Sequence, residues 1–127
     1  MSAGLDSRGL PVGYTFRPDL ELTPRQVKAA LDSRDPALVL VDCRTQDEWA
    51  AARIPGAALI PLGELEMRLA EIQELADGGA TIAVHCHHGV RSLRAAIFLR
   101  QQGIKAVSVA GGIDLWSIDI DPSVPRY

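Results

Sequence analysis

The chain has 127 residues, of which 47% are hydrophobic and 23% charged, and its net charge is -3. This length predicts one domain with a core large enough to fold without metal or disulfide staples. The weak negative charge excludes the basic surface typical of nucleic-acid binding, and no apolar run is long enough to span a bilayer, so we expect neither nucleic acid nor membrane as a partner.

The first part of the chain predicts an extension followed by a helix and a strand. Residues 1–20 have scattered Gly and Pro and no sustained period, which indicates a poorly ordered or surface-draped extension without chemistry. The domain then covers residues 21–127. Thr23, Pro24 and Gln26 form a capping-box start for a helix to about Leu31. The apolar run 37–41 predicts a strand buried on both faces.

The rest of the chain alternates in the same way. Thr45 and Glu48 repeat the capping box and predict a short helix to about Ala52. Further segments follow in chain order: a strand over 57–60, helical spacing over 62–72, a turn at 77–79, a strand over 81–85, a helix opened by Ser92 and stopped by Gly103, a strand over 106–109, and a last helix from Gly111-Gly112 to about Trp116. Trp49, Met67, Phe98 and Trp116 lie in apolar-periodic segments and are predicted to belong to the core.

This alternation predicts the fold class. Strands that alternate with helices imply right-handed crossovers, and hence an α/β three-layer sandwich with a mostly parallel, about five-stranded sheet covered by helices on both faces. Ligands bind such sheets at the carboxyl ends of the strands. Asp42, Cys43 and Arg44 fall at one strand end and Cys86 at another.

The loop after the fourth predicted strand carries the strongest chemical signal. Cys86 ends an apolar run and Arg91-Ser92 follows in a C-x4-R-S pattern. A helix N-terminus leaves amide groups free and favours negative charge, so a cysteine there has its pKa lowered and is largely ionised near neutral pH. We therefore predict that Cys86 is a nucleophile in the floor of an anion pocket.

The neighbouring loop residues are predicted to bind the substrate. His87, His88, Gly89, Val90, Arg91 and Ser92 supply the amides and walls of the pocket. Gly89 permits positive φ or close approach to a ligand, and Arg91 at a helix N-terminus needs an anion to meet it. Ser92 is equally well interpreted as a helix-capping hydroxyl or as a hydrogen-bond partner of the Cys86 sulfur. Consecutive residues cannot all converge on one ion, so no metal site is predicted. Covalent catalysis by a cysteine requires no dissociable cofactor, so none is predicted.

Four segments of the chain form a recognisable set: the Cys86 loop, the segment from Val41 to Trp49, the segment Ile54-Pro55-Gly56-Ala57, and Gly111-Gly112 followed by Trp116. Together they resemble the rhodanese family, whose cysteine carries a sulfane sulfur as a persulfide. Arg53 stands where that family usually has histidine. The resemblance runs from about Glu21 to Trp116. It implies a rhodanese-like fold in which the strands ending at Cys43 and at His85 are neighbours.

The resemblance implies a single-domain sulfurtransferase that moves a sulfane sulfur through a Cys86 persulfide. Its donor would be a small anion such as thiosulfate, or a protein or low-molecular-weight persulfide, with a thiophilic acceptor. The alternatives are a persulfide carrier or sensor that is not an enzyme, a phosphatase or arsenate reductase, and a structural interaction module. Phosphatases that share this fold have a loop one residue longer, so the C-x4-R spacing argues against them.

Three residues near the loop are predicted to play supporting roles. Asp42 and Arg44 are expected to hold neighbouring loops together. Cys43 is expected to be a small apolar core residue, while the sharper alternative makes it a resolving thiol that attacks the Cys86 persulfide. With only two cysteines in the chain and no apolar segment of a secretory signal, we expect a reducing, cytoplasmic setting.

Overall fold

The computed structural model describes residues 4–35 and 37–127. Five strands and five α-helices alternate along this part of the chain. They are β1 (Glu21–Leu22), α1 (Pro24–Asp32), β2 (Leu38–Asp42), α2 (Gln46–Ala51), β3 (Ala58–Leu59), α3 (Leu69–Leu75), β4 (Thr81–His85), α4 (Val90–Gln101), β5 (Ala106–Val109) and α5 (Gly112–Asp119), with single 3-10 turns at Leu62–Glu64 and Asp77–Gly79. None of the helices in the described residues has the length and apolar character needed to cross a bilayer.

The strands form one sheet in the order β1-β5-β4-β2-β3, and each strand pairing in it is parallel. One face packs against α3 and α4, and this α4-side core includes Val84, Ile72 and Leu99. The other face packs against α1 and α5, with Leu40, Val27 and Trp116 in its core. The predicted three-layer α/β sandwich is therefore confirmed, and β2 and β4 are neighbours as expected.

Local sequence signals start the first two helices. Thr23 caps α1 and Thr45 caps α2, and in both cases the residue three positions later completes a reciprocal capping box. Each box satisfies backbone N–H groups that otherwise lack intrahelical partners. The second box places Glu48 in the first turn of α2, where it faces the Cys86 loop.

Two predicted helical segments differ from the structure. The spacing over 62–72 does not form one helix, because a 3-10 turn at Leu62–Glu64 is separated from α3 by an irregular link. Met67 lies in that link and is 79% exposed, so its predicted place in the core is wrong, whereas Trp116 is buried. Helix α4 begins at Val90 rather than Ser92, with Gly89 as its N-cap. Ser92 thus lies inside the first turn and its hydroxyl is free to make other contacts.

The N-terminal segment is packed onto the domain. Within the predicted extension 1–20, residues 1–3 lie outside the described residues. Leu10 is fully buried and forms a small cluster with Ala110 and Leu115. The Tyr14 hydroxyl donates to Glu21 (2.5 Å). These contacts bring the segment close to the turn that begins α5.

Candidate active site

Cys86 lies at the point where β4 leaves the sheet and turns toward α4. Its side chain is buried, and its sulfur accepts hydrogen bonds from the backbone N–H groups of Gly89 (3.1 Å) and Ser92 (3.3 Å). Both amides belong to the N-terminal turn of α4, whose first N–H groups have no intrahelical acceptors. The loop thus directs two backbone donors at the sulfur.

A pair of buried hydroxyls extends this donor set. Ser92 Oγ lies 3.3 Å from the Cys86 sulfur and 2.7 Å from Ser108 Oγ. When Cys86 is a thiolate, it accepts from the Ser92 hydroxyl, and Ser108 can donate to Ser92 in turn. Ser92 Oγ also lies 3.2 Å from the Gly89 carbonyl, to which it can donate instead. The predicted capping role of Ser92 is wrong, because Gly89 is the N-cap of α4, whereas the alternative contact with the Cys86 sulfur is present.

The environment of Cys86 favours its thiolate. The pKa of Cys86 is lowered to about 4, first by hydrogen bonding from the Cys43 thiol and then by the Ser92 hydroxyl and the amides of Ser92 and Gly89, which together outweigh the opposing effect of burial. A thiolate is the nucleophilic form of cysteine. Cys86 is therefore ionised across the neutral range.

The loop is held in shape by the start of α5. The amides of Ile113 and Asp114 donate to the carbonyls of Cys86 (2.8 Å) and His87 (3.1 Å). Gly112 makes this close approach possible, because it has φ +61° and a Cβ there would stand 2.5 Å from the His87 carbonyl oxygen and closer still to that of Cys86. Gly89 adopts φ +109° at the N-cap of α4.

Arg91 is paired within the chain. Its guanidinium donates to both carboxylate oxygens of Glu48, at 2.6 and 2.9 Å. Hydrogen bonding from Arg91, with a smaller share from Tyr127, holds the pKa of Glu48 well below its usual range. The anion that meets Arg91 at the helix N-terminus is thus Glu48, and a bound donor would have to use the remaining N–H groups or the positive field of the guanidinium.

A buried ion pair connects the end of β2 with α2. Arg44 donates to both oxygens of Asp42 (2.9 Å from Nε and 2.6 Å from Nη2), and neither side chain is exposed. Arg44 also donates to the Ala52 carbonyl and the Tyr127 hydroxyl. The pair ties the end of β2 to α2, which carries Glu48. His85 lies beside this pair, its Nε2 3.6 Å from Asp42, and burial lowers its pKa.

The rim of the loop carries both predicted histidines. The His87 ring stacks on His88 (4.0 Å) and on Tyr127 (4.2 Å), and Val90 is 72% exposed at the start of α4. His87, His88 and Asp114 gather ligand atoms within 4.8 Å of one another. Asp114 already accepts from Arg126 (2.8 Å). The prediction that no metal is bound stays a prediction.

Cys43 meets one condition of each hypothesis made for it. It is buried in the α4-side core, as a small apolar residue would be, and it is also placed beside Cys86 in that core. Both cysteines are free rather than joined in a disulfide. The two cysteines thus share one core, as the resolving-thiol alternative requires.

Three contributors to the site were missed in the sequence. Ser108 is the polar residue of an otherwise apolar strand, and that contrast could have indicated it. Glu48 was assigned only a capping role, although one carboxylate serves both the cap and Arg91. Tyr127 donates to Glu48 (2.7 Å) from a proline-containing tail that had no predicted role.

Comparison with known proteins places the chain in a family. Residues 23–119 match the Rhodanese-like domain family. The chain belongs to this family. A crystal structure of a rhodanese-like domain protein from Staphylococcus aureus superposes with a TM-score of 0.71 at 30% identity, covering 85% of this chain and 98% of that one.

Curated relatives of this rhodanese-like chain are longer than it is. An adenylyltransferase and sulfurtransferase of Zea mays, MOCS3-1, is 34% identical over 111 residues, which are 84% of this chain and 23% of that protein. YrkF of Bacillus subtilis, named as a candidate sulfur carrier protein, is 38% identical over 98 residues, 76% of this chain and 50% of that protein. The chain thus spans half or less of these relatives.

Proposed function

We propose that this rhodanese-like chain is a sulfurtransferase that carries a sulfane sulfur on Cys86 as a persulfide. The observation that carries the proposal is the Cys86 sulfur itself, which accepts from two loop amides and whose pKa is lowered to about 4. The same donors that stabilise the thiolate can stabilise the anionic persulfide. The names of the maize and Bacillus subtilis relatives support sulfur transfer in general.

The reaction would proceed in two half-reactions. The Cys86 thiolate attacks the outer sulfur of thiosulfate, the S–S bond of the donor breaks, and sulfite leaves with the bonding electron pair. A thiolate or cyanide acceptor then attacks the terminal sulfur of the persulfide and returns Cys86 to its thiolate. This is covalent, ping-pong catalysis, and it requires no dissociable cofactor.

Burial of Cys86 restricts the donor. The residue is 1% exposed, so a donor has to present a small terminal sulfur that can enter between the loop amides. Thiosulfate and persulfides, free or on a protein, have such a sulfur. The exposed His88 and Val90 at the rim offer a contact surface for a protein donor or acceptor.

A persulfide carrier that does not turn over is the second candidate. The Bacillus subtilis relative named for sulfur carriage favours it, and it would use Cys86 in the same way. A phosphatase is disfavoured by the length of the loop, because the phosphatases that share this fold have one residue more than the C-x4-R spacing from Cys86 to Arg91.

The test is sulfur loading and turnover with Cys86→Ser as the comparison. Serine keeps the size of cysteine but cannot form a persulfide, so we expect thiosulfate:cyanide transfer to be lost while circular dichroism stays unchanged. Mass spectrometry of the wild type should find an added mass of about 32 Da, one sulfur atom, on the Cys86 peptide. Sulfur loading without multiple turnovers would support the carrier. Residual sulfur transfer by Cys86→Ser would contradict both the sulfurtransferase and the carrier.

A further inference from the structure

The two cysteines of this chain stand at paired positions of neighbouring strands. In the parallel ladder of β2 and β4, Val41 pairs with Val84 and Asp42 pairs with His85. The ladder continues one step further, because the Cys43 amide donates to the His85 carbonyl (3.0 Å). The next register pair is therefore Cys43 and Cys86.

Their side chains also point to the same face of the sheet. Side chains alternate along a strand, and Val41 and Val84 lie in the α4-side core while Leu40 lies in the opposite one. Cys43 and Cys86, two residues after those valines, are both in the α4-side core and both 1% exposed. Adjacent strands are about 4.8 Å apart, which is within the range of about 4.4 to 6.8 Å between the Cα atoms of a disulfide.

At neutral pH the two cysteines together hold one proton, because the pKa of Cys86 is lowered and that of Cys43 is raised. Two adjacent buried thiolates are unfavourable, and the pKa of Cys43 is strongly raised by its hydrogen bond to Cys86 and by burial. Cys43 thus presents an S–H group to the Cys86 sulfur. When a sulfur is added to Cys86, the negative charge moves outward to the terminal sulfur, and the inner sulfur beside Cys43 becomes an electrophile.

We propose that Cys43 is a resolving thiol for the Cys86 persulfide, a role that rests on the proposed function. The Cys43 proton passes to the terminal sulfur of the persulfide, and the Cys43 thiolate that results attacks the inner sulfur. A Cys43–Cys86 disulfide forms, the inner–terminal S–S bond breaks, and hydrosulfide leaves with its electron pair, so no external oxidant is needed. The chain would then release sulfide when no acceptor arrives, and a dithiol reductant would restore it.

The experiment follows the persulfide in the absence of an acceptor. The full chain is loaded with thiosulfate in oxygen-free buffer, the donor is removed, and samples are alkylated for non-reducing peptide mapping while sulfide is measured. We expect a peptide linking Cys43 to Cys86 and about one sulfide per loaded chain. In Cys43→Val, and in Cys43→Ser as a second variant of different polarity, the Cys86 persulfide should last at least about tenfold longer.

Equal persulfide lifetimes in the wild type and both variants would overturn the proposal, as would transfer of the added sulfur to Cys43.

A second experiment distinguishes failure of this proposal from failure of the proposed function. One equivalent of hydrogen peroxide converts the Cys86 thiolate to a sulfenic acid, and Cys43 then displaces water to form the same disulfide. If peroxide produces the disulfide but thiosulfate does not load Cys86, the proposed sulfurtransferase is contradicted, while the two cysteines are shown to be close enough to bond. Loading without a disulfide would contradict the resolving step alone.

Discussion

At the scale of single residues, the chemistry depends on what surrounds one sulfur atom. The Cys86 thiolate is stabilised by hydrogen-bond donors from the adjacent strand and from the first turn of α4, and this gain exceeds the cost of burying a charge. Ser92 contributes twice, through its amide and its hydroxyl. It is the residue through which the pH dependence of the site can be tested.

Removing the hydroxyl with Ser92→Ala should raise the pH at which Cys86 ionises. A hydrogen bond to a charged group contributes about 1.5 to 3 kcal/mol, so the midpoint is expected to rise by roughly 1 to 2 pH units. The thiolate is the active form and is lost on the acid side, so activity should fall more at pH 5 than at pH 7. The ultraviolet absorbance of the thiolate measures the midpoint, with Cys86→Ser as the blank. Ser117→Ala, which removes another buried hydroxyl bonded to the Val124 carbonyl, should leave it unmoved.

Arg91→Ala tests the predicted anion site. We expect a loss of about 2 to 4 kcal/mol in transition-state stabilisation with thiosulfate and a smaller loss with a neutral organic trisulfide. Arg94→Ala removes an exposed charge from the same helix and should change kcat/KM little. Arg91→Ala also leaves the Glu48 carboxylate without its guanidinium partner, and that negative charge could repel the donor. The double variant with Glu48→Ala removes both charges and so separates the two effects. Equal losses with both donors would remove Arg91 from donor binding.

At the scale of elements, the Cys86 loop is positioned by helices on both sides. Helix α4 supplies amides to the sulfur, and α5 supplies amides to the carbonyls of the loop. The Arg91–Glu48 pair connects α4 to α2, and α2 is tied to β2 through Arg44. Four separate elements thus fix the position of the loop, so its geometry is preorganised.

Gly112→Ala tests the contact between α5 and the loop. A Cβ at Gly112 would overlap the carbonyls of Cys86 and His87, so the loop has to shift, and we expect lower sulfur transfer together with a higher midpoint for Cys86 ionisation. Gly103→Ala is the matched control, because Gly103 also has positive φ (+81°) but nothing within 4 Å of a Cβ. In both variants the free energy of unfolding should fall by about 1 kcal/mol, because alanine is strained at a positive φ. Normal transfer by Gly112→Ala would contradict the proposed role of this contact.

At the scale of the whole molecule, residues 4–20 belong to the packed structure. Leu10 fills the cluster that also holds Ala110 and Leu115, next to the turn into α5. A buried leucine there secures the N-terminal segment against the domain. The stability of the fold therefore depends on a segment that lies outside the family match at 23–119.

Leu10→Ala should lower the free energy of unfolding by about 2 to 5 kcal/mol, because it removes buried apolar surface and leaves a cavity. Val12→Ala, at a position that is 74% exposed in the same segment, should change it by less than about 0.5 kcal/mol. Urea unfolding measures both. If the two variants are equally stable, the segment does not contribute to the fold in solution.

The sequence alone determined the features that depend on neighbours along the chain. The capping boxes at Thr23 and Thr45 start helices through bonds three residues apart, and the Cys86 loop joins a buried strand to a helix N-terminus within a few residues. Alternating elements then imply a parallel sheet, because crossovers have one favoured hand. The fold class and the position of Cys86 before a helix N-terminus follow from such short-range rules.

Only the tertiary structure decided which distant groups meet at the site. Glu48 pairs with Arg91 across 43 positions, and Ser108 reaches Ser92 from β5. Cys43 faces Cys86 because β2 and β4 pair in one register, and a slip of one residue would turn either thiol to the opposite face. Register and helix packing are set by the burial of the whole core, so no local pattern could have specified these contacts.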